Sequence, residues 1–476
     1  MDNKIHWLEP VGYLPTSPTQ AVTVGPEEFL LHTPLHARLI ALKNDIDGVT
    51  PDGYWDDAKK ITNPYEYIFL SLQRRMAWSV AAIQPLSRSY FKMIELWDLL
   101  GLTAVATAHS AEGPGGFLEA IQHRCGPIPM IAMTLKSTER TVPGWRKSQA
   151  FIQAYPAIHI TYGADGTGNL YSLANQAAFT STAKAHLTAA DIYTADGGFD
   201  FSADFNGQES TVQRLLVAEA LAGLTTLRQG GTMILKLFDM KCRATLEIIW
   251  TLSSCFDATA LVKPLTSRPA NSERYWIGRG YRGTPEWILT LFRTLTATDA
   301  PNGWSHLYAE TPAFPAAWIT EVQAFQQQIE LHQFNKIQMT LNLIKAPTKE
   351  RILELLVQNI RNSRVWCARH HIEQKAQYDT LTDEQVAALN LEEALAPFRA
   401  SVARTNLQGL CQPPPTHHVS SVAPVPRTPT GLAWRTALPA SVLGRTPSQT
   451  VADTPPSPQV VLTQFPLCSF PSLAQL

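Results

Sequence analysis

Cysteine is sparse and unpatterned: six residues in 476 (Cys125, Cys242, Cys255, Cys367, Cys411 and Cys468), none in a CxxC or other ligand spacing. That argues against a thiolate zinc site and against a disulfide-stapled scaffold, which need closer or denser cysteines. The expectation is reduced thiols in an intracellular protein, nuclear or cytoplasmic. Charge of one sign is also missing, since 39 Lys and Arg face 40 Asp and Glu. With a net charge of −1, a polyanionic partner has to be held by a local basic patch. No apolar run approaches the ~20 residues that cross a bilayer, so no membrane association is expected. The N-terminal MDNKIHWLEPVG has no basic segment leading into an apolar one, which argues against a signal peptide.

Proline is plentiful, and its distribution divides the chain. Residues 411–476 hold 13 of the 34 prolines and a single acidic residue, Asp453. Such a segment cannot bury enough apolar surface to offset its chain entropy, and disorder is expected there. Residues 1–50 have no clear period and read as an extension wrapping the core. Between about 51 and 295, apolar β-prone runs alternate with helical stretches. Leu102–Ala106, Met130–Leu135, Ile158–Tyr162, Ile192–Ala195, Thr232–Phe238, Ala260–Lys263 and Tyr275–Gly280 are the strand candidates. Asn63-Pro64 reads as a helix start, Phe117–His123 and Ala244–Cys255 as helices, and Val212–Leu227 as a helix stopped at Gly230-Gly231. Strands alternating with helices predict an α/β fold, a mostly parallel doubly wound sheet with helices on both faces. From about 296 to 405 the character is helical, with a capping box at Thr382-Asp383-Glu384-Gln385. Residues 406–476 form the Pro-, Thr- and Ser-rich tail.

The chemistry-bearing residues cluster in the alternating region. Glu112-Gly113-Pro114-Gly115-Gly116-Phe117 lies between a strand and a helix, where glycines let a ligand approach the backbone. A structural turn explains it equally well, and the missing GxGxxG spacing argues against a dinucleotide. A second polar turn, Gly163-Ala164-Asp165-Gly166-Thr167-Gly168-Asn169, follows the strand at 158–162. Lys236 sits inside the apolar strand MILKLF, a costly position unless the amine is paired. Asp196 ends a β-run just before Gly197-Gly198. Lys92 lies on a helix, where a solvated lysine is the bland reading, and Glu273 precedes the strand that starts at Tyr275.

Lys92, Asp196, Lys236 and Glu273 in this order, with the GPGGF turn, resemble the FtsJ/RrmJ family of S-adenosylmethionine-dependent RNA 2′-O-methyltransferases over roughly residues 52–282. Two segments bring the match near the mRNA-cap branch: Asn63-Pro64-Tyr65-Glu66, and Thr266 to Tyr275, TSRPANSERY. The resemblance implies a Rossmann-like class I methyltransferase sheet and a catalytic tetrad of Lys92, Asp196, Lys236 and Glu273. It implies donor contacts at Ser87, Gly113, Pro114, Gly115, Gly116, Phe117, Asp165, Gly166 and Asp196, although Glu112 stands where the family usually has a small residue. RNA contacts are implied at Asn271 and Arg268, and by position at Lys59 and Ser210. Capped mRNA is then the substrate, modified at the first transcribed nucleotide. The second nucleotide, a ribosomal or transfer RNA, and a silent RNA-binding scaffold are the competing readings.

Lys236 is expected to be the base that takes the 2′-hydroxyl proton, oriented by Asp196, with Lys92 and Glu273 holding the ribose. Burial and nearby cations would lower the pKa of Lys236 and the carboxylates would raise it, and the sequence leaves that balance open. Trp145, beside Arg146 and Lys147, reads either as a platform for the cap base or as packing for its loop. The helical region and the tail are candidate docking surfaces for transcription or capping machinery.

Overall fold

The computed structural model describes residues 5–49, 54–70, 79–139, 142–199 and 207–398, which fall within one compact unit. Ten strands run in chain order: β1 (His6–Leu8), β2 (Gln20–Val24), β3 (Thr107–Ser110), β4 (Met130–Met133), β5 (Ile158–Thr161), β6 (Ala190–Ala195), β7 (Leu227–Leu237), β8 (Phe256–Val262), β9 (Arg274–Tyr281) and β10 (Trp304–Tyr308). Eight of them make one sheet in the order β1-β8-β9-β7-β6-β3-β4-β5, and β10 pairs with β2 in a separate ribbon. Strands β5, β4, β3, β6 and β7 are mutually parallel; β9 inserts antiparallel between β7 and β8. This is the class I methyltransferase sheet, extended at one edge by β1 from the N-terminal segment.

Both faces of the sheet are covered, so even the polar side chains of its inner strand β3, Thr107, His109 and Ser110, are buried. Side chains alternate between two cores, as the period of a strand requires. Met233 and Leu235 enter the core beneath the helices Gln208–Leu224 and Arg243–Ser253. Ile234 enters the opposite core, which carries the helices Ser89–Leu100 and Gly116–Cys125. Lys236, two residues beyond Ile234, therefore shares the face of the helix that bears Lys92.

Three expectations need correction. The first of the parallel strands is Thr107–Ser110 rather than 102–106, which instead carry the chain to it from the left-handed C-cap at Gly101. Asn63-Pro64 follows the helix Tyr54–Thr62 instead of starting one; Pro64 has no N–H to extend it. The helix Gln208–Leu224 stops before Gly230-Gly231, and that glycine pair lies inside β7, beside the register shift between Ala190 and Ile192.

The helices Ala316–Lys345, Lys349–Arg369 and Asp383–Leu395 account for the helical C-terminal region, and the capping box at Thr382 is formed. Among the described residues no helix is long and apolar enough to cross a membrane. Residues 200–206 and 399–476, the whole Pro-rich tail among them, lie outside the described residues. Cys125, Cys242, Cys255 and Cys367 are free thiols.

Candidate active site

The glycine turn leaves β3 and enters the helix Gly116–Cys125, with Gly115 in the left-handed region at φ 103°. Space around it is filled. A Cβ on Gly116 would fall on the Ser87 and Ser89 hydroxyls, and one on Gly113 would lie 2.8 Å from the Gly144 nitrogen. Ser87 and Ser89, their hydroxyls 2.5 Å apart, thus bring the start of the Lys92 helix against the turn. Trp145 is buried over Gly115, so it packs the turn and offers no open platform for a base. The Phe117 ring faces the core, 6.0 Å from the ring of Tyr275, leaving only its main chain at the turn.

The second polar turn follows β5. Asp165 Oδ1 accepts hydrogen bonds from Thr167 N (2.9 Å), Thr167 Oγ1 (2.6 Å) and Asn175 Nδ2 (2.8 Å), while Oδ2 takes part in none of these. These donors, Thr167 above all, hold the Asp165 carboxyl below its ordinary pKa. Gly166 has no atom within 4 Å of a would-be Cβ, so the tip of the turn is open.

Two ion pairs occupy the carboxyl edge of the sheet. Lys92 Nζ lies 2.8 Å from each oxygen of Glu273, and Ser267 Oγ donates to Glu273 Oε1 at 2.8 Å. Glu95, one turn along the same helix, accepts from Leu265 N at 2.6 Å and Thr266 N at 3.1 Å, which docks the helix on the loop leading to Glu273. Lys236 Nζ donates to the main-chain oxygen of Asp196 at 2.7 Å and stands 3.4 Å from Asp196 Oδ1. Tyr275, opposite Lys236 in the β7–β9 register, donates its hydroxyl to the same Oδ1 at 2.8 Å. A Cβ on Gly198 would sit 3.1 Å from Lys236 Nζ, so the glycine lets the chain pass close to the amine.

Electrostatics link the two pairs. Burial alone lowers the pKa of Lys236, but Asp196, Glu273 and Glu219 outweigh it, and the amine is raised above its ordinary value. Burial pushes Glu273 up, yet Lys92, Lys236 and Lys263 together hold it down at about 2. Glu112 and Glu219 behave oppositely. Burial, reinforced by Asp196, pushes Glu112 well above the carboxylate range; burial takes Glu219 to about 8 despite the pull of Lys236. At neutral pH Glu219 is mainly a neutral acid, whereas Glu273 carries a negative charge.

The implied RNA residues are less uniform. Arg268 is committed within the protein: its guanidinium forks onto Glu66 at 2.8 and 3.1 Å. The Asn271 amide oxygen accepts from Lys263 Nζ at 2.9 Å. Lys59 pairs with Asp56 at 2.5 Å near the surface, and Ser210 is buried with its hydroxyl toward the Gly207 oxygen. Arg268, Asn271 and Lys59 nevertheless line one cleft of about 170 Å³, and Ser210 lines a second of about 670 Å³.

Lys263, Ser267 and Tyr275 were missed as parts of the site. Lys263 is buried at the end of β8, donates to the Glu273 main-chain oxygen at 2.6 Å, and is brought to about 7 chiefly by burial. Its signal was available, a lysine at the end of the apolar run ALVK, where Lys236 interrupts MILKLF.

Comparison with known proteins agrees with this geometry. A family model described as FtsJ-like methyltransferase matches residues 85–281, from the turn before the Lys92 helix to the end of β9. A Trypanosoma cruzi protein named cap-specific mRNA (nucleoside-2′-O-)-methyltransferase 1 is 32% identical over 304 residues, covering 60% of this chain and 78% of that one. A probable methyltransferase of African swine fever virus is 28% identical over 316 residues, covering 60% of this chain and 72% of its own. A Xenopus laevis protein with the same name as the trypanosomal one is 36% identical over 177 residues, 36% of this chain and 20% of the longer relative. With the sheet order, the glycine turn and the paired lysines at one edge, the chain belongs to the FtsJ-like methyltransferase family.

Proposed function

We propose that this protein transfers a methyl group from S-adenosylmethionine to the ribose 2′-hydroxyl of the first transcribed nucleotide of capped mRNA. The observation that carries this reading is the juxtaposition of two lysine–carboxylate pairs beside a glycine turn at the carboxyl edge of the sheet. The cap assignment is supported by the name of the T. cruzi relative, most of whose length this chain covers.

The residues suit such a donor. The main chain of Gly113, Pro114, Gly115, Gly116 and Phe117 would border its methionine part, with Ser87 beside the turn. Asp165, with one oxygen outside its own loop, and the open Gly166 would meet the adenosine part. When bound, the donor supplies a methyl carbon made electrophilic by a sulfonium, whose charge also lowers the pKa of a nearby amine.

Lys92 and Glu273 hold the sugar and the charge network. Asp196, fixed by Tyr275, orients Lys236, whose unprotonated amine would take the 2′-hydroxyl proton. Alignment supplies a large part of the rate, and a positioned base about 10²–10⁴-fold more. Because its neighbours keep Lys236 protonated at rest, the acceptor form is reached on the alkaline side, and turnover should climb with pH through the neutral range. Lys59, Ser210, Arg268 and Asn271 line the RNA path, Arg268 by shaping the loop through Glu66.

The test is methyl transfer from labelled donor to a short m7G-capped transcript and its uncapped counterpart, with nuclease mapping of the product. Label on the first nucleotide of capped RNA alone supports the proposal. Label on the second nucleotide moves the assignment by one residue, and equal transfer to uncapped RNA favours a ribosomal or transfer RNA substrate. Failure of the protein to bind the donor would leave an RNA-binding scaffold.

A further inference from the structure

We infer that Lys43, on the N-terminal helix His36–Asp47, is a phosphate-binding residue of the RNA path, seated where two clefts meet; this rests on the proposed RNA substrate. The helix buries Leu39, Leu42, Lys43 and Ile46, the i, i+3, i+4, i+7 stripe that normally faces a core. One member of that stripe is a lysine, only 7% exposed. Among the described residues none makes a hydrogen bond or close ion pair with its ammonium.

The surrounding cations are matched. Lys241 lies 3.6 Å from Asp239 and 3.7 Å from Glu330, Arg274 lies 2.9 Å from Asp239, and Lys336 donates to the Thr62 oxygen at 2.9 Å. Lys43 is the exception. An ammonium taken out of water with no carboxylate in contact is unfavourable, and burial lowers its pKa against the longer-range pull of Asp239 and Glu330. A phosphate oxygen at Lys43 Nζ removes that penalty.

The location specifies whose phosphate. Lys43 is the side chain common to both clefts. The smaller one, about 170 Å³, is lined by Trp55, Gln208 and Asn271. Gln208 accepts from Ser272 at 2.8 Å, which joins this cleft to the segment holding Glu273 and the target sugar. The larger one, about 670 Å³, opens between Phe29, His36 and the start of the helix Gln208–Leu224. A nucleic-acid strand passing from one to the other carries a phosphate across Lys43. That phosphate belongs either to the polyphosphate bridge of the cap or to a phosphodiester of the chain, and the two sources can be separated.

The experiment compares the full-length protein with Lys43→Met and Lys43→Arg. Expected for Lys43→Met are an unchanged or higher melting midpoint without RNA and unchanged donor binding. KM for the capped transcript should rise about tenfold, more than any fall in kcat. The slope of log Kd for RNA against log salt should shrink by about 0.7, the value of one single-strand phosphate contact. Lys43→Arg should restore the slope. If the cap dinucleotide, which has the bridge but no following phosphodiester, loses affinity as well, the contact is the bridge; if only the longer transcript does, it is the phosphodiester. An unchanged KM and salt slope in Lys43→Met, with the wild type active on capped RNA, overturns the assignment to Lys43 alone. A lower melting midpoint overturns it too, by revealing a structural partner for the charge. A wild type inactive on capped RNA overturns the functional reading with it.

Discussion

The two halves of the candidate site are made of different material. On the side of β3, β4 and β5 the surface is main chain: glycines at 113, 115 and 116, packed from behind by Gly144, two serines and a buried tryptophan, with Gly166 at an open tip. On the side of β6, β7 and β9 it is buried charge, with Lys92 on Glu273 and Lys236 on Asp196. A backbone surface tolerates no added atom but is indifferent to charge. A surface of ion pairs tolerates small changes of shape and fails when a proton or a charge is moved. Substitutions in the two halves should therefore fail in different ways.

The largest effect should follow from Lys236→Arg, which keeps the cation but cannot give up its proton. Turnover should fall about 10²–10⁴-fold with donor affinity retained, measured by single-turnover transfer and by calorimetry. Near-normal turnover would remove the base from the charged half. Gly116→Ala should do the opposite. Its Cβ meets the hydroxyls of Ser87 and Ser89, so donor binding should weaken by about tenfold or more while the pH profile of the residual activity keeps its shape.

Glu273→Gln should break both stability and turnover, because Lys92 is left without its bidentate partner. Removing one member of a well-buried pair costs about 3–5 kcal/mol, and somewhat less here, where both side chains reach water. The double variant Lys92→Met/Glu273→Gln should recover the melting midpoint but not the activity. The same carboxyl fixes a pH dependence. Its folded pKa, about 2, lies below the unfolded value near 4.5, so its contribution is complete above about pH 4.5 and is lost as pH falls through 2. Glu66, also held to about 2 by Arg88 and Arg268 against the effect of burial, adds to the same window. Acid unfolding of Glu66→Gln should thus be shallower than that of the wild type between those values. The smallest effect is remote from both halves: Thr382→Ala removes the cap of the helix Asp383–Leu395 and should cost about 1 kcal/mol with kinetics untouched.

Much of the sheet was legible because its strands are short apolar runs punctuated by glycine, and Lys236 stood out because a lysine inside such a run needs a reason. Lys263 carried the same signal and was passed over, since it closes its strand instead of interrupting it. Gly230-Gly231 was misread because a glycine pair after a helical stretch signals a stop equally well whether or not the next strand has begun. The commitment of Arg268 to Glu66 joins residues 202 apart, and no local pattern encodes such a pair. The N-terminal segment was opaque for a related reason. β1 gains its meaning from pairing with β8, and the lysine in the stripe of the helix His36–Asp47 only when both clefts are in view.

The most direct measurement uses two capped transcripts that differ by one oxygen, with ribose or 2′-deoxyribose at the first transcribed nucleotide. Single-turnover transfer of labelled methyl to the ribose transcript, rising with pH and absent from the deoxy transcript, is the predicted result. Equal labelling of both would mean that the paired lysines act on some atom other than the 2′-oxygen.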